Sequence, residues 1–215
     1  GPIGTTNIDS NAKLQIEDST NPNINIDRTS SLSTGNHLGY INFQNNGDVY
    51  GYIGAWVESA SGTDGKLVFG TQNGTSSTDK MTITSDGSVL VGKASDAFSA
   101  AGTVIRSSGV VNITRSGANA LNLNRLSSDG SLLDFYKDTS TLVGSIGASG
   151  GDLYIENGIT GISFNNAPNA LIPTTTGGVV DNGNQDLGIT SHRFRNLFLS
   201  GTANVGGKLL VTDGG

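Results

Sequence analysis

Apolar and polar residues alternate along most of the chain, and Gly, Asn or Asp interrupts the alternation at short intervals. Alternation at period two places successive side chains on opposite faces of a β-strand. The pattern therefore predicts an all-β protein built of many short strands. It predicts them most directly at Ala12–Asp18, Asn23–Arg28, Leu38–Gln44, Lys66–Gly70, Lys80–Thr84, Val111–Arg115, Leu121–Leu126 and Asp152–Asn157.

Tight turns are predicted where Asn or Asp precedes Gly, because these residues accept the positive φ angles of two-residue hairpin loops. Such pairs are Asn46-Gly47, Asp64-Gly65, Asn73-Gly74, Asp86-Gly87, Asp129-Gly130 and Asn157-Gly158. Only two short segments have a pattern that allows a helix, Asp96–Ala101 and Ser191–Asn196. Each would form little more than one or two turns.

The chain also contains an internal duplication. The blocks NINIDRTSS, GYINFQ, YGYIGA and GKLVFGTQ return in the same order as LNLNRLSS, LLDFYK, VGSIGA and GDLYIEN. Arg28 then matches Arg125, and Leu67 matches Leu153. Tandem copies of a strand-rich module favour a structure that grows along one axis. A chance match between Gly-rich segments is the alternative.

The duplication predicts a domain plan. We expect residues 1–2 to be the remnant of a cleaved tag, residues 3–93 a first β module, residues 94–102 a linker and residues 103–215 a second, homologous module. Each copy is followed by a predicted strand, turn and strand, at Met81–Lys93 and at Leu197–Leu209.

The composition favours an oligomer. Only 14% of the residues are charged, 32 are Gly and none is Cys. Short, thinly apolar strands bury too little surface to offset the entropy of ordering the chain, and they leave open sheet edges. Disulfides, the usual remedy in small secreted domains, are excluded. Pairing with identical copies around a symmetry axis remains, with Gly and Ala small enough to lie near that axis.

The charge excludes two classes of partner. The net charge is -6 and no basic cluster is present, so the chain lacks the footprint of nucleic-acid binding and of attraction to anionic membranes. No apolar run approaches the ~20 residues that cross a bilayer, so no membrane insertion is predicted. The first residues also lack the basic and apolar regions of a signal peptide.

Few residues or motifs in the sequence indicate a catalytic site. His37 and His192 are far apart and have no metal-ligand spacing, and no GxSxG motif is present. The only glutamates, Glu17, Glu58 and Glu156, fall in predicted strands, and most aspartates fall in turns. We therefore predict no enzyme activity, no metal site and no cofactor. Hydrolysis of a polysaccharide by two carboxylates is the enzyme alternative.

One aromatic segment is a candidate binding site. VYGYIGAWVES, at residues 49–59, holds the only Trp and two of the five Tyr. At period two, Tyr50, Tyr52 and Trp56 would share one face of a strand. Exposed aromatic residues anchor interfaces, so we name them as candidate receptor or glycan contacts. In the alternative, this face packs on the core of the oligomer or on a neighbouring strand.

Two arginines are a candidate anion contact, Arg193 and Arg195 in the segment RFRNL. In the alternative, these arginines have a structural role, in which they cap backbone carbonyls or pair with Asp181 and Asp186.

The stretches FYKD (residues 135–138), GSIG (144–147) and DLYI (152–155), and the ending LGxxxxRFxxLxLSG (187–201), stand in this order. From Leu132 to about Gly201 the chain resembles the distal shaft modules of bacteriophage tail fibres, with a looser similarity over Ile3–Lys93. The opening IGTTNIDSNAKLQI resembles a shaft repeat, from which Ser10-Asn11 depart.

This resemblance implies an elongated, intertwined homotrimer, a β-prism or β-helix-like fibre in the extracellular part of a virion. The implied partners are two identical chains, other tail-fibre segments and a bacterial surface glycan or outer-membrane receptor. Longer relatives often end in a self-cleaving chaperone domain, which no segment here resembles. The alternatives are a tailspike-type polysaccharide depolymerase and a bacterial surface adhesin repeat.

Overall fold

The computed structural model describes residues 24–59, 61–207 and 209. These residues form two antiparallel sheets, and their only helical element is a single 3-10 turn at Thr176–Gly178. The all-β prediction is therefore confirmed. The expected tag remnant and the strand predicted at Ala12–Asp18 lie outside the described residues.

The first sheet is a meander of seven strands in which each strand pairs with the next along the chain. Its first turn is the predicted Asn46-Gly47, with φ angles of 50° and 90°. Gly74 and Gly87, also at predicted turns, have positive φ. The strands are β1 His37–Asn45, β2 Asp48–Val57, β3 Gly65–Asn73, β4 Ser76–Ile83, β5 Val89–Val91, β6 Gly102–Ile105 and β7 Val111–Thr114.

The second sheet is a meander of six strands. The predicted turn at Asn157-Gly158 joins the third strand of this sheet to the fourth, and Gly158 has a φ of 60°. The strands are β8 Gly130–Lys137, β9 Thr141–Ser149, β10 Asp152–Asn157, β11 Thr160–Asn165, β12 Ala170–Thr175 and β13 Val179–Val180.

The boundary between the two compact units differs from the predicted one. The chain divides after Asn122, and residues 94–102 belong to the first unit. They form most of the loop between β5 and β6, which pair from Val89↔Ile105 to Val91↔Thr103. The similarity between the two copies ends near residue 93, but the ladder of the first sheet continues through two more strands.

Several predicted elements are also different. No strand forms at residues 24–28 or 121–126, and neither predicted helix forms. The described part of Leu197–Leu209 contains no strand either. A strand needs a ladder partner, and alternation alone does not provide one. Ile26 lies against Gly39 of β1 through its side chain, so this apolar residue packs without joining the sheet.

The two sheets share their pairing register. Ile53 pairs with Phe69 in the first, as Ile146 pairs with Ile155 in the second. The matched residues Leu67 and Leu153 each pair with the Ala of the repeated Ile-Gly-Ala step. A bulge also recurs at one place, where Phe43↔Gly51 and Phe135↔Gly144 each precede a shift. Equal register on three neighbouring strands is difficult to obtain from a chance match.

The matched arginines make matched contacts. Arg28 donates from Nε to Ser30 Oγ at 2.7 Å and from Nη1 to the carbonyl of His37 at 2.8 Å. Arg125 donates from Nε to Ser128 Oγ at 3.2 Å and from Nη1 to the carbonyl of Ser131 at 3.4 Å. In both units the guanidinium thus ties the incoming segment to the first strand of the sheet.

Directly paired residues lie on the same face of a sheet. The observed pairing therefore places large apolar side chains together on one face of each sheet. We call it the apolar face. In the first sheet Phe43 is 57% and Ile105 45% exposed. The residues are Ile41, Phe43, Ile53, Ala55, Leu67, Phe69, Met81, Ile83, Val89, Val91, Ile105, Val111 and Ile113 in the first sheet, and Leu133, Phe135, Ile146, Ala148, Leu153, Ile155, Ile162, Phe164, Leu171 and Pro173 in the second.

The small core of each unit lies on the opposite face. In the first sheet, Val68, Leu90 and Val104 are buried in one row across the strands. In the second sheet, the buried residues of this face include Tyr154 and Thr174. Each unit therefore buries a few side chains on one face and leaves a row of large apolar side chains partly open on the other.

The turn between β4 and β5 is held by Asp86. Its carboxylate accepts from Thr84 Oγ1 at 2.5 Å and from the amide and hydroxyl of Ser88 at 3.1 and 3.0 Å. These bonds, that of Thr84 first, hold the pKa of Asp86 below its ordinary value.

Because the folded-state pKa is depressed, the stability contributed by Asp86 is present above its ordinary pKa and lost as pH falls through the folded one. We expect Asp86→Asn to lower the unfolding midpoint at pH 7 and to reduce its fall between pH 5 and pH 2. Denaturant unfolding at several pH values measures this. Asp138→Asn, in the β8–β9 turn, is the control and should retain the wild-type pH profile.

Candidate functional site

A wide depression lies on the first sheet, on the face opposite the apolar face, and holds about 770 Å³. It is built from β1, β2, β3 and β4 and from the turns that join them. Its walls combine aromatic rings, amides, hydroxyls and two carboxylates. The residues are His37, Tyr40, Asn42, Gly47, Asp48, Val49, Tyr52, Trp56, Gln72, Thr75, Ser77, Thr78 and Asp79.

Glycines let the aromatic rings lie flat on this face. A Cβ at Gly54 would come within 2.8 Å of the Tyr40 ring and 3.1 Å of Trp56 Nε1. A Cβ at Gly70 would overlap the ring of Tyr52. The missing side chains thus provide the space for the rings, which cover the exposed glycine backbone in return.

The rings also contact one another. The rings of Tyr40 and Tyr52 meet edge to face with centroids 5.6 Å apart. The imidazole of His37 lies 4.6 Å from the Trp56 ring, and its Nδ1 is 2.5 Å from the Tyr40 hydroxyl. Lys66 Nζ stands 5.2 Å from the centroid of Trp56. These contacts fix the floor of the depression in one arrangement.

The phenols of the depression stay protonated over a wide pH range. Burial, together with the hydrogen bond that its hydroxyl donates to Asp79 and the charge of Asp79, raises the pKa of Tyr52 far above its ordinary value. Burial likewise raises the pKa of Tyr40. Both hydroxyls are therefore neutral at physiological pH, and that of Tyr52, whose one hydrogen goes to Asp79, keeps its oxygen as an acceptor.

Two polar atoms in the depression are buried without a well-formed hydrogen bond in the protein. They are the side-chain oxygen of Gln72 and the indole N–H of Trp56, which makes only a weak contact with the Tyr40 hydroxyl. The Gln72 amide nitrogen is used, because it donates to the carbonyl of Gly74 at 2.9 Å. One wall thus holds a weakly bonded donor and another an unpaired acceptor.

The structure separates the three predicted aromatic contacts. Tyr52 and Trp56 both line the depression. Tyr50 does not, and its side chain is 56% exposed. The cause is the bulge in β2, where Phe43 pairs with Gly51 and Gln44 with Val49, so that Tyr50 has no directly opposed partner. A bulge breaks the period of two on which the prediction of a shared face depended.

The two predicted anion contacts are exposed residues of an irregular segment, Arg193 and Arg195. The ion pair with Asp181 that was their structural alternative does not form. Asp181 is buried and accepts hydrogen bonds from Asn184 Nδ2 at 2.5 Å and Gln185 Nε2 at 3.2 Å instead. The one ion pair found in the described part of the chain is Arg106–Asp96, at 2.7 Å.

The two glutamates that the structure describes are tied to the backbone. Glu58 accepts from the amide of Ser85 at 2.6 Å, and Glu156 accepts from the amide of Gly178 at 3.3 Å. The third, Glu17, lies outside the described residues. Within residues 24–59 and 61–207 no cluster of three or more His, Cys, Asp or Glu side chains could hold a metal ion. The same residues contain no helix long and apolar enough to cross a membrane.

The sequence did not indicate Tyr40, Asn42, Gln72 or Asp79 as site residues. They come from different strands, and only the register of β1 to β4 brings them together. The available signal was the Gly at positions 54 and 70, because a Gly inside a strand often marks a close approach of another group. Comparison of the chain with protein-family models, with curated proteins and with solved structures finds no match.

Proposed function

We propose that this chain is a structural and receptor-binding segment of a bacteriophage tail fibre and that it functions as a homotrimer. The observation that carries the proposal is the open apolar face on each of the two sheets. The sequence resemblance indicates a trimeric fibre, and the open apolar faces give a physical reason for identical chains to associate.

The size of these faces supports the proposal. Thirteen of their large side chains are classed as exposed, from 37% for Ile162 to 63% for Leu171. Six of them are in the first sheet and seven in the second, so at roughly 80 Å² each, about half the area of such a side chain, each face exposes on the order of 500 Å². The largest apolar patch on a monomer measures ~300–600 Å² and often marks an interaction site, and a standard interface buries ~800 Å² per partner. Each face is therefore as large as the apolar patches that mark interaction sites, and the two faces of one chain together reach the area that a standard interface buries per partner.

Copies of the same chain are the occupants that we propose for these faces. Both apolar faces carry Ile, Leu and Phe, and the three repeated strands of each sheet pair in one register, so this part of the two surfaces is alike in spacing and chemistry. Cyclic assembly of three chains would bring the apolar faces toward the axis and turn the polar, aromatic face outward. Bulky residues then fill the axis, whereas Gly54, Gly70 and Gly147 lie under aromatic rings on the other face.

Attachment to a bacterial surface is the second part of the proposal. The outward position of the depression, with its mixed aromatic and polar walls, suits contact with a surface ligand. The proposed location is the extracellular tail of a virion, next to other segments of the fibre.

A cell-binding experiment tests this function. Labelled trimer is expected to bind saturably to cells of the host bacterium and to slow adsorption of phage that carries the fibre, because both compete for one receptor. A variant made monomeric through its apolar face should bind far more weakly, since three linked sites act together. Trimer that neither binds these cells nor slows adsorption would contradict a receptor-binding role.

A further inference from the structure

We infer that the depression on the first sheet binds a neutral saccharide, with Gln72, Trp56 and Asp79 among the groups that hold its hydroxyls. The inference rests on the proposed function and adds to it the site and the chemical class of the ligand.

The unpaired atoms point to a hydroxyl-bearing ligand. A buried donor or acceptor without a partner costs about 1–3 kcal/mol, so the Gln72 oxygen, and less strongly the Trp56 N–H with its weak contact to Tyr40, favours an occupant that hydrogen-bonds it. One needs an acceptor and the other a donor. A sugar hydroxyl is both, as is the water that it would displace, whereas a carboxylate or phosphate oxygen only accepts and an ammonium group only donates.

The charge of the depression disfavours acidic ligands. Asp48 and Asp79 are in its lining, whereas the nearby cation Lys66 stands over the Trp56 ring, 5.2 Å from its centroid, and is not among the lining residues. An anionic sugar would lose hydration and meet two carboxylates at short range. The phenols of Tyr40 and Tyr52 remain neutral because of their raised pKa values, so they add hydroxyl groups without adding charge.

The shape also fits a saccharide. The depression holds about 770 Å³, which lies within the range of sites for small ligands. The aromatic groups are held rigid by their glycines and by each other, so the site loses little side-chain freedom on binding. Rings of Tyr52 and Trp56 present apolar surface to the C–H groups of a sugar, beside the polar groups that meet its hydroxyls.

The chain contains its own reporter for this site. Trp56 is the only tryptophan, so the tryptophan emission of the protein comes from the depression alone. We would titrate the trimer with glucose, galactose, N-acetylglucosamine and their disaccharides, and with glucuronate as the anionic comparison. We expect a saturable change in emission with at least one neutral sugar and none with glucuronate.

Two variants make the test specific. Gln72→Met keeps the size of the side chain but removes its oxygen, and it should raise the Kd about threefold to tenfold, the effect of one neutral hydrogen bond. Tyr50→Ala, on β2 with Tyr52 and Trp56 but outside the depression, should leave the Kd unchanged. Absence of any saturable change, or an equal Kd in wild type and Gln72→Met, would overturn the inference.

Other occupants give different results. An emission change produced by Ca²⁺ or Mg²⁺ without sugar, and none with sugar, would make the depression a cation site and overturn the inference. Acrylamide that reaches Trp56 in a monomeric variant but not in the trimer would show that another chain covers the depression, and would overturn it too. The trimer mass is measured on the same sample, so loss of sugar binding is distinguished from failure of the proposed assembly.

Discussion

Ile105→Asp is expected to convert the trimer into single folded chains. Ile105 lies in the apolar face between Val89 and Val111, and it is 45% exposed in the isolated chain. Inside a trimer a carboxylate at this position would lose its hydration, at a cost of several kcal/mol per ion, and symmetry would repeat the cost in every chain. In a single chain the same carboxylate would remain in water. Light scattering measures the mass, and far-ultraviolet circular dichroism measures the retained β structure.

Asn112→Asp is the matched control for this substitution. Asn112 is on β7, next to Val111, but it pairs with Val104 and so lies on the opposite face. It gains the same charge with almost no change in size. We expect it to remain trimeric, and Ile155→Asp in the second sheet to behave as Ile105→Asp does. An Ile105→Asp protein that keeps the wild-type mass would show that the apolar face of the first sheet is not an interface.

Tyr154→Ala is expected to lower the free energy of unfolding by about 3–5 kcal/mol, as truncation of a large buried aromatic residue usually does. Tyr154 is the largest fully buried side chain of the described residues and only 2% exposed. Its ring lies over Gly147 and against Gly178, where a Cβ would overlap it. Removal of the ring would leave a cavity and expose the glycine backbone. Denaturant unfolding at a fixed chain concentration measures the change, since the stability of an oligomer depends on concentration.

Tyr136→Ala is the control, because Tyr136 is in the same sheet but 61% exposed. It should change the free energy of unfolding by no more than about 0.5 kcal/mol. Equal effects of the two substitutions would contradict the role of Tyr154 as the core of the second unit.

The sequence predicts the strands of this fold well where apolar alternation and a turn signal occur together. Asn46-Gly47 and Asn157-Gly158 fall at hairpin turns, and Leu38–Gln44 and Asp152–Asn157 lie in strands. The repeated Ile-Gly-Ala step also points to a shared register. The strands predicted from alternation at residues 24–28 and 121–126 do not form, because alternation carries no information on whether a neighbouring strand is available for pairing.

The candidate site was less accessible from the sequence. Tyr52 and Trp56 could be selected because they are aromatic residues on one predicted strand. Tyr50 was placed with them by the same rule, and the bulge at Gly51 breaks that rule. Gln72 and Asp79 carry no local signal, since their position beside Tyr52 depends on the long-range register of β3 and β4. A site assembled across strands requires the register before its members can be identified.

The mass of the native protein in solution, measured by light scattering at low micromolar concentration, tests most directly whether identical chains cover the two apolar faces. We predict a particle of three times the 22.0 kDa chain mass. A folded particle of a single chain mass that remains soluble would contradict this, because those faces would then be stable in water without any partner.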